Sequence, residues 1–146
     1  MPLTIHQATL NECKACYELS AVPELATPFH EPPPLFWFQN IVKEKQILLV
    51  AKDNKKIIGF RMGERIAGNW AAAHLMVVHP AYRNKGVGTQ LIEAFETECK
   101  KRNMHGIMTY VHNNPATLAF FKKKGYILGS TVVEAVKPLD EYGTTT

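Results

Sequence analysis

The chain has 146 residues, 46% of them hydrophobic and 21% charged, with a net charge of +4. That length suits one domain with a real core, and the modest, dispersed charge lacks the basic and aromatic stripe of a nucleic-acid module. Three cysteines at irregular spacing argue against a disulfide framework, and no leader pattern and no apolar run near the ~20 residues that span a bilayer is seen, so the expectation is a reduced, cytoplasmic protein that engages neither nucleic acid nor membrane.

Leu3 to Gln7 reads as a first strand. Thr9 and Glu12 have the spacing of a capping box and open a helix from Leu10 to Leu19, with Leu10, Cys13, Cys16 and Tyr17 along its stripe. Cys13-Lys14-Ala15-Cys16 puts two thiols on one helix face with no second ligand pair, so it reads as packing rather than a metal site. Ser20 to Pro34 is proline-rich and irregular, and Leu35-Phe36-Trp37-Phe38 opens a second helix reaching about Lys43. Gln46 to Lys52 and Lys56 to Arg65 are strands joined by the turn Asp53-Asn54-Lys55.

After a turn at Ala67-Gly68-Asn69 comes Ala71 to Val78, nearly all apolar and ending in two β-branched residues, as suits a central strand covered on both faces. His79-Pro80 stops it, because proline carries no ladder donor. Val87 to Arg102 is a long amphipathic helix with Val87, Leu91, Ala94, Phe95 and Cys99 on one face. Gly106 to Val111 is another buried strand, and Pro115 starts a short helix that ends before Gly125. Tyr126 to Val136 is a last long strand and Lys137 to Thr146 a loose tail. The basic clusters Lys100-Lys101-Arg102 and Lys122-Lys123-Lys124 fall at helix ends, where cations complement the dipole. The element order β-α-α-β-β-β-α-β-α-β describes one α/β (α+β) domain with a mixed sheet and helices on its faces.

The stretch between the central strand and the long helix carries the first chemical signal. Arg83, Gly86 and Gly88 are spaced Arg-x-x-Gly-x-Gly directly before a helix start, with Lys85 among them. The first amides of a helix have no partner within it, and its dipole favours anions. Glycines let a phosphate approach those amides. The pattern lacks the Lys-Ser/Thr of a Walker loop and the third glycine of a dinucleotide fingerprint. It therefore reads as a cradle for phosphate or pyrophosphate.

Buried strand, His-Pro stop, Arg83-Asn84-Lys85-Gly86-Val87-Gly88 and long helix together resemble the acetyl-CoA-binding motif of the GNAT superfamily of N-acetyltransferases. A second segment, Asn113 to Tyr126, is similar to that family's Asn-x-x-Ala helix ending in Gly-aromatic. The resemblance implies a twisted, mostly antiparallel sheet of six to seven strands with about four helices, splayed between strands 4 and 5. It implies acetyl-CoA as acyl donor, with the pyrophosphate on Arg83, Asn84, Lys85, Gly86, Val87, Gly88 and Thr89. It also implies the pantetheine arm along Met76, Val77 and Val78, hydrogen-bonded by Asn113, with Ala116, Phe120 and Phe121 among the cofactor-binding residues. A free amide near Met76 would polarise the acyl carbonyl.

Acyl transfer to an amine needs that amine unprotonated, and a primary amine with pKa ~10.4 is almost wholly charged at neutral pH. Many family members carry a carboxylate on the central strand where this chain has Ala72. His74, two residues on, is the first candidate base, and Glu64 on the preceding strand the second. Many members also place a tyrosine, the general acid, where this chain has Phe121. A thiolate needs less help to leave than an alkoxide, since thiols are acidic near ~8.5. Phe29, His30, Phe36 and Trp37 could wall an acceptor pocket for a small-molecule or peptide amine. The main activity expected is N-acetyl transfer; the alternative, motivated by Ala72 and Phe121, is a non-catalytic acetyl-CoA-binding or sensing domain. Pairing of two chains as a homodimer is left open by the sequence.

Overall fold

Alternating apolar residues in the first half of the chain build an antiparallel meander. The computed structural model describes residues 3–22 and 33–140. In it β1 (Leu3–Gln7), β2 (Ile47–Asp53), β3 (Lys56–Ile66) and β4 (Trp70–Val78) pair antiparallel in chain order. β5 (Ile107–Thr109) adds parallel to β4, as a crossover through a helix allows. Four α-helices flank this sheet among the described residues: α1 (Cys13–Leu19), α2 (Leu35–Lys43), α3 (Val87–Lys101) and α4 (Pro115–Lys123).

Each face of the sheet has its own core. Cys13 and Cys16 of α1 and Phe38 and Ile41 of α2 pack on Leu48, Val50, Phe60 and Met62. Phe38 meets Phe60 edge-to-face with ring centroids 5.4 Å apart, a favoured aromatic geometry. Cys13 and Cys16 are therefore core residues, and burial pushes the Cys16 thiol up to about 12. On the other face Leu91, Phe95 and Cys99 of α3 pack on Leu49, Ile58, Ala71 and Ala73. Gly63 lets α3 come this close, because a Cβ there would lie 2.5 Å from the Phe95 ring and 2.7 Å from the Ala72 carbonyl.

The start of α1 forms as its capping box requires. A 3-10 turn, Leu10–Glu12, leads into the helix, and the Glu12 carboxylate accepts the Thr9 amide at 2.9 Å. Glu12 also pairs with Lys52 of β2 and with His6 of β1. Burial by itself would raise the Glu12 pKa. Its bonds from Lys52, the Thr9 amide and His6 outweigh that and hold it at about 2.

Two expectations about the sheet need correction. Among the described residues it has five strands, not six to seven. The difference lies in Tyr126 to Val136, expected as a strand, which has no strand pairing and leaves Ile127 98% and Val133 91% exposed. Its apolar, β-branched residues favour an extended backbone, but a strand exists only through a ladder. The outer edge of β5 meets no other strand among the described residues. β5 itself is three residues long, against the six expected from Gly106 to Val111. The splay between strands 4 and 5 follows directly: pairing stops at Ala73 and Thr109, and the two strands part beyond them.

Candidate active site

The splay opens a cleft whose first wall is β4. From Leu75 to Val78 this strand has a sheet partner on one side only. An edge of that kind presents unpaired main-chain amides and carbonyls. The register also slips inside the wall: Met62 pairs with Leu75 and Gly63 with Ala73, so His74 has no partner on β3. This is a bulge, which bends the strand and leaves one residue outside the ladder.

The bulge brings together two side chains that the sequence offers as rivals. His74 Nε2 lies 3.6 Å from Glu64 Oε1, with the two side chains 43% and 40% exposed. Alternation from Ala72, which stands opposite Glu64, puts His74 on the same face as that carboxylate. Glu64 sits opposite Ala72 across the β3–β4 ladder, so a carboxylate of the neighbouring strand lies beside the position where this chain has alanine.

Where β4 ends, the chain turns into the cradle. His79 Nδ1 accepts the Ala81 amide at 3.0 Å, and Pro80–Tyr82 form one 3-10 turn. Arg83 Nε donates to the Val78 carbonyl at 3.0 Å, fastening the loop to the strand end. Asn84 and Gly86 take φ of +61° and +82°. At Gly86, the residue before α3, an added Cβ would meet nothing within 4 Å. A side chain there is disfavoured by backbone conformation, and the space it would enter is open to a ligand. The first bond into the helix is donated by Gln90 to the Gly86 carbonyl, which leaves the amides before it without a helical partner. Lys85 and Lys56 both lie over the Tyr82 ring, each 5.7 Å from its centroid. Tyr82 donates its hydroxyl hydrogen to Asp53 at 2.9 Å.

The second wall is β5, the loop after it, and α4. Asn114 caps α4 by accepting the Thr117 amide at 2.9 Å, so the cap is Asn114 and not its neighbour Asn113. Phe121 is buried and packs edge-to-face on Phe120 and Tyr126. Tyr126 in turn donates to Glu96 of α3 at 2.8 Å, and burial together with that bond raises its pKa. Lys124 reaches Glu93 of α3 at 3.0 Å. The wall is thus held together by one aromatic cluster and tied to α3 by two polar bonds.

Between the walls lies a cavity of about 730 Å³, within the ~300–1,000 Å³ range of ligand sites. It is lined by His74, Met76, Val77, Val78, Arg83, Asn84, Gly86, Val87, Gly88, Thr89, Ala116, Phe120 and Phe121. Residues chosen from two segments some 30 positions apart therefore share one space. Lys85, Asn113, Phe36 and Trp37 are not among its lining residues, and Phe29 and His30 lie outside the described residues. Phe36 and Trp37 are partly exposed on α2. Arg61, Ile92 and Thr109 also line the cavity, and sequence reasoning did not select them. Tyr110 lines it as well and is 79% exposed.

Comparison with known proteins gives the family and the fold. The family model described as acetyltransferase (GNAT) matches residues 10–126. The solved ribosomal-protein-S18-alanine N-acetyltransferase of Escherichia coli is 21% identical, covering 88% of this chain and 80% of that one, with a TM-score of 0.73. The PaiA N-acetyltransferase of Thermoplasma acidophilum, solved with coenzyme A, is 19% identical, covering 90% of this chain and 94% of that one, with a TM-score of 0.67. At such identities the likeness shows the fold. The protein YxbD of Bacillus subtilis, itself uncharacterised, is 37% identical over 67 residues, which are 45% of this chain and 42% of that protein. The aligned stretch thus spans under half the length of that relative.

Proposed function

This chain belongs to the GNAT acetyltransferase family, and we propose that it moves an acetyl group from acetyl-CoA to the primary amine of a small molecule or peptide. The observation that carries the proposal is the cavity itself. One continuous cleft joins an unpaired stretch of β4 to a helix start whose leading residue, Gly86, leaves open space.

The site fits a nucleotide thioester by its donor set. The amides opening α3 would hold the pyrophosphate, with Arg83 and Lys85 adding positive charge. Main-chain groups of Met76, Val77 and Val78 would pair with the pantetheine amides, and Asn113 would add a side-chain bond at the start of the second motif. The amide of Met76 would donate to the acyl carbonyl oxygen as negative charge develops there. When bound, the thioester supplies an electrophilic carbonyl and a thiolate leaving group.

His74 accepts a proton from the attacking amine, and Glu64 holds His74 and balances the charge it gains. The amine nitrogen forms its bond to the carbonyl carbon, the C–S bond breaks, and the thiolate takes up a proton. Phe121 cannot supply that proton. Of the two tyrosines that line the cleft, Tyr82 is bonded to Asp53 and Tyr110 has no hydrogen-bond partner among the described residues, so Tyr110 or solvent completes the step.

A second reading has one observation in its favour. Phe121 is buried among aromatic rings where a hydroxyl donor would serve catalysis, which suits a protein that binds acetyl-CoA and senses it without turnover. Release of free CoA across a panel of amines, at saturating acetyl-CoA, decides between them. Amine-dependent release supports the transferase. Saturable acetyl-CoA binding with no release from any amine supports the sensor.

A further inference from the structure

A buried cation lies beneath the cleft with no role in the reaction described above. Arg61 sits on β3 opposite Met76 and is only 5% exposed. Its guanidinium reaches Thr109 Oγ1 on β5 at 3.3 Å. Because β4 lies between β3 and β5, the side chain must cross under β4 to make that contact. It ends where pairing of β4 and β5 stops, since Thr109 is the last paired residue and itself donates to the Ala73 carbonyl.

The bonds Arg61 makes do not satisfy it. Its Nε is buried without a hydrogen-bond partner. Among the described residues no carboxylate lies within ion-pair distance of it. Glu96 of α3, whose charge acts on Arg61, is itself engaged by Tyr126. The ring of Phe95, 5.5 Å away, supports one face of the guanidinium. Burial lowers its pKa, from a starting value so high that the charge survives at neutral pH. An unpaired buried cation is costly unless something supplies the missing negative charge. Arg61 also lines the cavity, so the compensating group can enter from the cleft.

We propose that Arg61 binds a carboxylate at the end of the acyl chain, so that the cleft accepts thioesters of dicarboxylic acids, of the malonyl and succinyl class, alongside acetyl-CoA. This rests on the acyl-CoA reading above and extends it to the donor's tail. The side of the sheet assigns the carboxylate to the donor and not to the acceptor. Arg61 lies on the α3 face with Phe95, in the same register as Met76. His74, which would receive the amine, is paired with Glu64, and the register puts Glu64 two residues from Met62 on the face that packs against α1 and α2. A planar guanidinium offering Nε and an Nη to one carboxylate makes the two-point contact that lysine cannot.

Calorimetry on the full chain tests this with malonyl-CoA, succinyl-CoA, and isovaleryl-CoA, whose branched tail matches the shape of malonyl without its charge. Malonyl-CoA or succinyl-CoA should bind at least about tenfold more tightly than isovaleryl-CoA, as a buried charge-assisted contact implies. Arg61→Met should abolish that preference and Arg61→Lys keep part of it, each checked for an intact fold by thermal unfolding. If Arg61→Met does not fold, the native chain and Arg61→Lys still decide. Equal binding of the charged and neutral tails by the native chain overturns the proposal, as does a preference that survives in Arg61→Met. A preference for glycine over methylamine as acceptor that disappears in Arg61→Met would move the carboxylate to the acceptor and also overturn it. Failure to bind CoA or any thioester would instead overturn the acyl-CoA reading beneath it.

Discussion

The two walls of the cleft are built to different standards. The β4 wall belongs to a four-strand meander packed on both faces, by α1 and α2 on one side and α3 on the other. The wall of β5 and α4 stands on three ladder pairs, one aromatic cluster and two polar bonds to α3, and the segment after it is largely exposed. The stiff wall carries the parts that need fixed geometry, the bulge at His74 and the cradle at Gly86. Under the proposed function, the looser wall carries side chains that need only close over the ligand. Low local stability is where moving elements of a site are drawn from.

The sharpest way to break this contrast is to overfill each side at a glycine. Gly63→Val would drive a side chain into the Phe95 ring and the Ala72 carbonyl. It should cost about 3 kcal/mol or more in urea unfolding. Gly129→Val meets nothing within 4 Å and should stay within about 0.5 kcal/mol. Similar costs at both positions would contradict the two-standard account.

Next in size is the anchor of the stiff side, Glu12. Its pKa is depressed in the folded state, to about 2. Such a carboxylate stabilises the fold above its unfolded value of ~4.3, and the contribution is lost as pH falls toward 2. Glu12→Gln should therefore lose roughly 2–3 kcal/mol at pH 7. The native chain should converge on the variant between pH 5 and pH 2, while a constant gap across that range would remove Glu12 as the titrating anchor.

Function on the stiff wall comes third. His74→Ala should reduce acetyl transfer about a hundredfold at pH 7, the low end for a general base. The loss should be smaller at pH 9, where more of the amine is already free. A loss independent of pH would make His74 a packing residue. Gly86→Glu should weaken CoA binding at least about tenfold, since it strains a φ of +82° and sets a negative charge at the helix start. Unchanged affinity with the fold intact would displace the cradle.

The smallest effect belongs to the looser wall. Tyr126→Phe removes only the bond to Glu96, so it should cost about 1 kcal/mol. A cost as large as that at Gly63 would mean this wall is as rigid as its partner.

What the sequence reveals tracks the same division. Strands β1 to β4 and helix α3 are legible because each buries a face, and burial leaves a period in the residues. The cradle is legible because its glycines and its place before a helix follow local rules. Tyr126 to Val136 misleads because its residues favour extension, whereas pairing depends on a partner strand elsewhere. His74 and Glu64 are each legible as candidates, but their 3.6 Å approach beside a one-residue slip between Met62 and Gly63 is marked by no local pattern. Arg61 looks like an ordinary outward charge in a strand. Its reach to Thr109 joins residues 48 positions apart, and only the sheet order brings them together. An arginine between Phe60 and Met62, both buried, in a strand covered on both faces, is the one signal that could have singled it out.

The central claim is that main-chain nitrogens of β4 and of the start of α3 hold the carrier. Amide nuclear magnetic resonance of the chain titrated with CoA tests it most directly. The account predicts saturable shifts concentrated at Met76, Val78 and Gly86 to Thr89. Saturable binding that leaves those amides unmoved while others shift would contradict it.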